Sequence, residues 1–99
     1  MAIYLVKKGF RLEDRYSHDD YEYDHLLREF ALATEEEARR FVTNWYNKRA
    51  TKNNYKSKML GEPKDGQMGA WLRYEPEFED EAVIEYCYYR KINLCKYNG

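Results

Sequence analysis

Residues 33–50 read ATEEEARRFVTNWYNKRA, and this stretch decides what kind of fold the chain can adopt. Thr34 stands where an N-cap hydroxyl is needed, and Glu37 three residues later completes the spacing of a capping box. Glu35, Glu36 and Glu37 place negative charge at the positive end of the helix dipole, while Lys48 and Arg49 place positive charge at its negative end. Ala38, Phe41, Val42 and Trp45 recur at helical spacing and form one apolar stripe. Glu35/Arg39 and Glu36/Arg40 lie four apart on the other side. The pattern predicts an amphipathic helix of about four turns, which must bury its single stripe against another layer.

The residues around the helix supply that layer as strands. AIYLVKK near the start is a short β-rich run. His25–Ala33 (HLLREFALA) fits either period, but the break that the cap demands at Thr34 favours a strand, since two helices rarely meet without a loop. The acidic segment between these two runs then serves as a long hairpin connection. After the helix, Thr51–Gly69 holds three of the five glycines, one of the two prolines and two adjacent asparagines, and reads as a long mobile loop. AWLRYE follows as a strand that Pro76 ends, and FEDE turns the chain into AVIEYCYYRKI. The expected fold is α+β, a single small domain over residues 1–99. An antiparallel sheet of about four strands, in β-β-α-β-β order, carries one helix on one face.

Alternation along strands sorts the side chains. In the last strand Ala82, Ile84, Tyr86, Tyr88 and Ile92 form the more apolar set and are expected beneath the helix. Val83, Glu85, Cys87, Tyr89 and Lys91 take the other side. Ala70, Leu72 and Tyr74 should face inward with Trp71 and Arg73 outward, and Ile3 and Leu5 inward with Tyr4, Val6 and Lys8 outward. An aromatic sheet face of Tyr4, Trp71 and Tyr89 results, set among Lys8, Arg73, Glu85 and Lys91.

Composition narrows the function. The chain has 99 residues, 35% of them charged and 17% aromatic, with 11 tyrosines. It is too aromatic for a disordered tail and large enough for one core. No apolar run approaches the roughly 20 residues that span a bilayer, and the N-terminus lacks a signal-peptide pattern, so a cytoplasmic location is expected. The two cysteines, Cys87 and Cys95, do not make a disulfide scaffold and are expected as thiols. The net charge of −1 argues against general nucleic-acid binding, but its distribution is uneven. Six acids lie within residues 13–24 and six within residues 75–85, while five bases and no acid lie within residues 48–58.

No catalytic or metal motif emerges. His18 and His25 are seven apart and Cys87 and Cys95 eight, without the close spacing of a structural zinc site. Asp20, Glu22 and Asp24 alternate like the start of a calcium loop, but His25 and Ala31 occupy the positions of its glycine and its bidentate glutamate, which excludes an EF-hand. Ser17 adjoins His18 without a turn to expose it. Glu62 and Lys64 make a lone E-x-K. No cofactor is implied.

The reading that follows is a small non-enzymatic protein-binding module. Tyr4, Trp71, Arg73, Tyr89 and Lys91 would form the contact face, and Asp19, Asp20, Glu22, Glu77, Glu79 and Asp80 would steer the partner and rim the contact. Two alternatives stand beside it. Lys48, Arg49, Lys52, Tyr55, Lys56 and Lys58 could bind nucleic acid through phosphate contacts and one stacked base, and a small ribonuclease-type toxin could work with Arg, Lys, Tyr and His alone. An exposed strand edge leaves a homodimer open. In size, charge density and tyrosine content the chain resembles the small phage proteins that inhibit host defence complexes, anti-CRISPR proteins among them. The resemblance implies a partner surface occluded by this chain, possessed by a nucleic-acid-processing complex.

Overall fold

The computed structural model describes residues 1–14, 22–52, 55–76 and 81–95, together with the side chains of these except residues 14, 22 and 23. The elements are β1 (Ala2–Asp14), β2 (Glu22–Leu32), α1 (Glu35–Ala50), β3 (Ser57–Leu60), β4 (Gln67–Tyr74) and β5 (Glu81–Asn93). The strands form one antiparallel sheet in the order β2-β1-β5-β4-β3, five strands where four were expected. β2 and β3 are the two edges, so α1 carries the chain from one edge to the other across a single face. Four inter-strand spacings amount to roughly 19 Å, and 16 helical residues span about 24 Å, so the helix is long enough for the crossing. No helix among the described residues is long and apolar enough to cross a membrane.

Local chemistry fixes the helix as the sequence implies. The Glu37 N–H donates to Thr34 Oγ1 at 3.2 Å, and the Thr34 hydroxyl donates to the Glu37 carboxylate at 2.8 Å. Glu35–Arg39 and Glu36–Arg40 pair at 3.4 and 3.0 Å on the exposed side. Ala38 and Val42 are fully buried, and Phe41, Trp45 and Tyr46 pack around them. Phe41 meets Phe30 of β2 edge-to-face, with ring centroids 4.8 Å apart.

The sheet residues beneath this stripe are Val6 and Tyr4 of β1, Phe30 and Leu32 of β2, Leu60 of β3, Met68 and Ala70 of β4, and Cys87 and Tyr89 of β5. On β4 the expected alternation holds for Ala70 and Leu72 against Trp71 and Arg73, while Tyr74, expected inward, is exposed at the strand's end. On β1 and β5 it is reversed. Tyr89 is 1% exposed beneath the helix, with Tyr4 edge-to-face against it at 6.1 Å. Ile84, Tyr86, Tyr88 and Ile92 therefore belong to the opposite face, together with Ile3 and Leu5, as the cross-strand partners Ile3↔Ile92, Arg11↔Ile84 and Trp71↔Tyr86 require.

The long loop expected at Thr51–Gly69 is instead largely ordered as a hairpin. Asp65 and Gly66 both have positive φ, 54° and 74°, and Lys64 and Gln67 exchange backbone hydrogen bonds across them at 2.9 and 3.1 Å. That is the two-residue connection favoured between twisted antiparallel strands, and it adds β3 to the sheet. The opposite edge, β2, carries a bulge: Lys8 pairs with Arg28 and Gly9 with Leu26, leaving Leu27 as the extra residue. A bulge flanked by Asp24, Arg28 and Glu29 is a common device against edge-to-edge pairing.

Candidate functional site: an aromatic groove on the open sheet face

The helix covers one face of the sheet, and among the described residues no element covers the other. A solvated sheet face usually alternates toward polar residues. This one carries Ile3, Leu5, Met59, Trp71, Ile84, Tyr86, Tyr88 and Ile92. Met59 and Trp71 are large apolar side chains that remain 51% and 36% exposed.

Cross-strand rows explain the shape of this face. One row runs Met59–Trp71–Tyr86–Gly9 from β3 to β1. The next runs from Gly61 through Gly69 and Tyr88 to Lys7, the Gly61 N–H donating to the Gly69 carbonyl at 2.8 Å. Gly61, just past the end of β3, thus stands beside Gly69 of β4, so the side-chain layer has a gap whose floor is backbone. Trp71, Met59 and Tyr88 stand around that gap. The result is an open groove of about 650 Å³ that continues past Ile84 to Arg11 and Arg73, within the size range of small-ligand sites.

Tyr86 is held by a second glycine. A Cβ on Gly9 would stand 2.7 Å from the Tyr86 hydroxyl and 2.3 Å from the His25 carbonyl, so only glycine lets the ring cross β1. The Tyr86 hydroxyl reaches β2 and donates to Asp24 at 2.6 Å. Arg11 lies 5.7 Å from the Tyr86 ring centroid and 3.5 Å from the same carboxylate. Burial above all, then the bond to Asp24 and its negative charge, raise the Tyr86 pKa, with Arg11 opposing. The phenol therefore stays neutral and works as a fixed wall. Tyr88 follows with its ring 5.9 Å away, tilted by 31°.

The groove's cations are compensated. Arg73 donates to Glu13 at 2.9 Å and to Glu75 at 3.2 Å, and Lys56 pairs with Glu75 at 2.9 Å. The bond to Glu13 is the main reason the Arg73 pKa is raised, with burial opposing and Glu75 adding.

Of the expected contact residues, Trp71 and Arg73 lie on the open face and in the groove. Tyr4 and Tyr89 do not, because they pack beneath the helix, and Lys91 shares their side of β5, beside Gly66. Asp19, Asp20, Glu77, Glu79 and Asp80 lie outside the described residues, as do His18 and Ser17; Glu22 is in β2. The basic segment is divided. Arg49 and Tyr55 both donate to Glu85 on the helix side of β5, and Lys56 is held by Glu75. Lys48 and Lys52 flank a depression beside Trp45, and Lys58 sits on the outer edge in β3. Burial opposes the Arg49 charge, but Glu85 and Tyr55 outweigh it and the pKa is raised. His25 stacks on Phe10 with centroids 5.1 Å apart. Among the described residues no group of three or more His, Cys, Asp or Glu side chains converges.

The groove residues that the sequence did not assign to a site are Arg11, Met59, Ala70, Ile84, Tyr86 and Tyr88, with the glycines at 9, 61 and 69 that make room for them. Their only sequence signal is the cluster of tyrosines itself, which fits either face. No family model, no curated protein and no solved structure matches the chain.

Proposed function

We propose that this chain is a non-enzymatic protein-binding module that docks its partner on the open sheet face. The carrying observation is the groove of half-buried Tyr86 and Tyr88 beside exposed Trp71 and Met59, on a face where a solvated sheet would be polar. Tyr, Trp and Arg are the residue types that dominate binding hot spots, and here Tyr86 is pre-positioned by Gly9 and Asp24 and Arg73 by its ion pairs, which reduces the side-chain ordering that opposes association. The charge pattern supports a protein over a nucleic acid. Arg73 and Arg11 face Glu13, Glu75 and Asp24, and Arg49 and Lys56 of the basic segment are drawn onto Glu85 and Glu75. Phosphates at the groove or at Arg49 and Lys56 would meet cations already paired with carboxylates.

In its specific form the proposal is an inhibitor of the kind phages direct against host defence complexes, occluding a partner surface in the cytoplasm. Composition supports that form, with the exposed aromatic face as the occluding surface. The test is affinity capture with the wild-type protein and with a Trp71→Ala/Tyr88→Ala variant whose fold is verified by circular dichroism. Partners should be captured by the wild type and lost by the variant. A partner that the folded variant retains in full would show that docking occurs elsewhere.

A further inference from the structure

Resting on that reading, we propose that the groove takes a proline-rich segment of its partner in the polyproline II conformation. The argument comes from what the lining can and cannot offer. The polar side-chain groups that line it are the guanidinium groups of Arg11 and Arg73, the Trp71 indole and the hydroxyls of Tyr86 and Tyr88. Guanidinium and indole N–H groups only donate, the Tyr86 oxygen, its proton given to Asp24, can only accept, and the Tyr88 hydroxyl can do either. Among the described residues no carboxylate, amide, serine or threonine side chain lines the groove. The backbone floor offers a donor little, because the Gly69 carbonyl already accepts from Gly61 and β4 and β5 pair with one another across the sheet.

Only two phenol oxygens can accept from an occupant, so one rich in acceptors and poor in donors fits this lining best. An ordinary extended peptide brings one N–H per residue, and each one buried without an acceptor costs about 1–3 kcal/mol. Proline has no N–H, and a polyproline II segment leaves its carbonyls unpaired and available. The ring faces of Trp71 and of the Tyr86/Tyr88 pair supply the aromatic walls on which such segments dock. The same surface would also suit a nucleic-acid strand, but the carboxylates paired with Arg73 and Arg11 remove the net positive charge that a phosphate backbone requires. A second copy is not the source of the segment: the chain has only two prolines, Pro63 and Pro76, thirteen positions apart.

The experiment titrates decaproline into ¹⁵N-labelled protein and follows the two indole N–H signals. The Trp71 signal should shift saturably while that of Trp45, on the helix, stays in place. Trp71→Ala should abolish binding. Gly69→Ala is the decisive variant, because a Cβ there meets nothing closer than Tyr88 Cβ at 3.5 Å. It should fold normally, fill the floor and weaken decaproline at least fivefold. No saturable shift at millimolar peptide overturns the inference. A proline-free apolar decamer that binds the Trp71 site as tightly overturns it too, yet leaves protein docking on this face standing. Binding of a dT decamer at Trp71 overturns both readings. A Trp71 shift that follows protein concentration alone would assign the face to a second copy, against this inference.

Discussion

Tyr86 lies over Gly9. The two are cross-strand partners on β5 and β1, and the absence of a side chain on one is the space occupied by the other. This pairing joins the sheet's architecture to its proposed site, because the same ring that covers β1 forms a wall of the groove. Replacing Gly9 with alanine would set a methyl 2.3 Å from the His25 carbonyl, and backbone cannot yield as a flexible side chain can. Gly9→Ala should destabilise the protein by about 2–3 kcal/mol, the upper range for overpacking, while Tyr86→Phe, which loses only the bond to Asp24, should cost about 1 kcal/mol. Urea unfolding of both variants measures the difference. Equal costs would mean that β2 moves aside, and the fixed wall would be lost as an idea.

Glu85 ties three parts of the chain together. It sits in β5 and accepts from Arg49 in the last turn of α1 and from Tyr55 ahead of β3. Hydrogen bonds to a charged group contribute about 1.5–3 kcal/mol when buried; here partial exposure reduces that. Glu85→Ala should lower stability by about 1–2 kcal/mol and release the segment before β3, seen as faster amide exchange around Tyr55. Because it also uncovers Arg49, any affinity for DNA should rise in this variant. Unchanged exchange at Tyr55 would show the contact to be incidental.

How much of this was legible in the sequence depended on how local the signal was. The helix could be read whole, since its cap, its charges and its stripe all lie within residues 34–50. β4 could be oriented because Ala70 and Leu72 alternate with Trp71 and Arg73, and the charge of Arg73 marks the outward side. β5 could not. Cys87 and Tyr89 on one parity match Tyr86 and Tyr88 on the other in apolar character, and tyrosine suits both a core and a surface. β1 offers the same ambiguity between Ile3/Leu5 and Tyr4/Val6. A strand read one residue out of phase exchanges its faces entirely, which moved the site from Tyr4 and Tyr89 to Tyr86 and Tyr88. β3 was hidden for another reason: its turn, Asp65-Gly66, is a recognisable hairpin signal, but the strand before it is four residues with mostly exposed side chains, among lysines and asparagines. The groove itself depends on Gly61 lying beside Gly69, and that adjacency exists only once the strands pair.

The two thiols should behave differently. Cys87 is fully buried and Cys95 exposed, and burial pushes the Cys87 pKa up to about 12, with the charge of Lys8 opposing. At pH 8 a disulfide reagent should label one cysteine rapidly in the native protein and two in urea. The sign of the pH effect follows. An unfolded thiol ionises near ~8.5, so between there and about 12 the unfolded chain releases a proton that the folded chain keeps. Stability should therefore fall as pH rises through that window, joined above about pH 10 by Tyr86 and Tyr89, whose values burial also raises. Cys87→Ala should remove the earliest part of the loss. A stability profile that is flat from pH 8 to 11 in the wild type would contradict the assignment.

Tyr89 separates the value of a ring from the cost of its hydroxyl. The ring is buried against Tyr4, yet its oxygen is buried without a hydrogen bond of good geometry. The Arg39 side chain lies near enough to oppose the rise in pKa that burial causes. A hydroxyl stripped of water and left unbonded costs stability, while phenylalanine keeps the edge-to-face contact. Tyr89→Phe should therefore be neutral or stabilising by up to about 1 kcal/mol, whereas Tyr89→Ala should cost about 3–5 kcal/mol as a cavity opens beneath the helix. Because Tyr89 stands on the face opposite the groove, Tyr89→Phe should also leave the Trp71 indole signal unmoved. A loss above 1 kcal/mol for Tyr89→Phe would mean that the hydroxyl has a partner in solution. A shift at Trp71 would mean that the two faces of the sheet are coupled through β5.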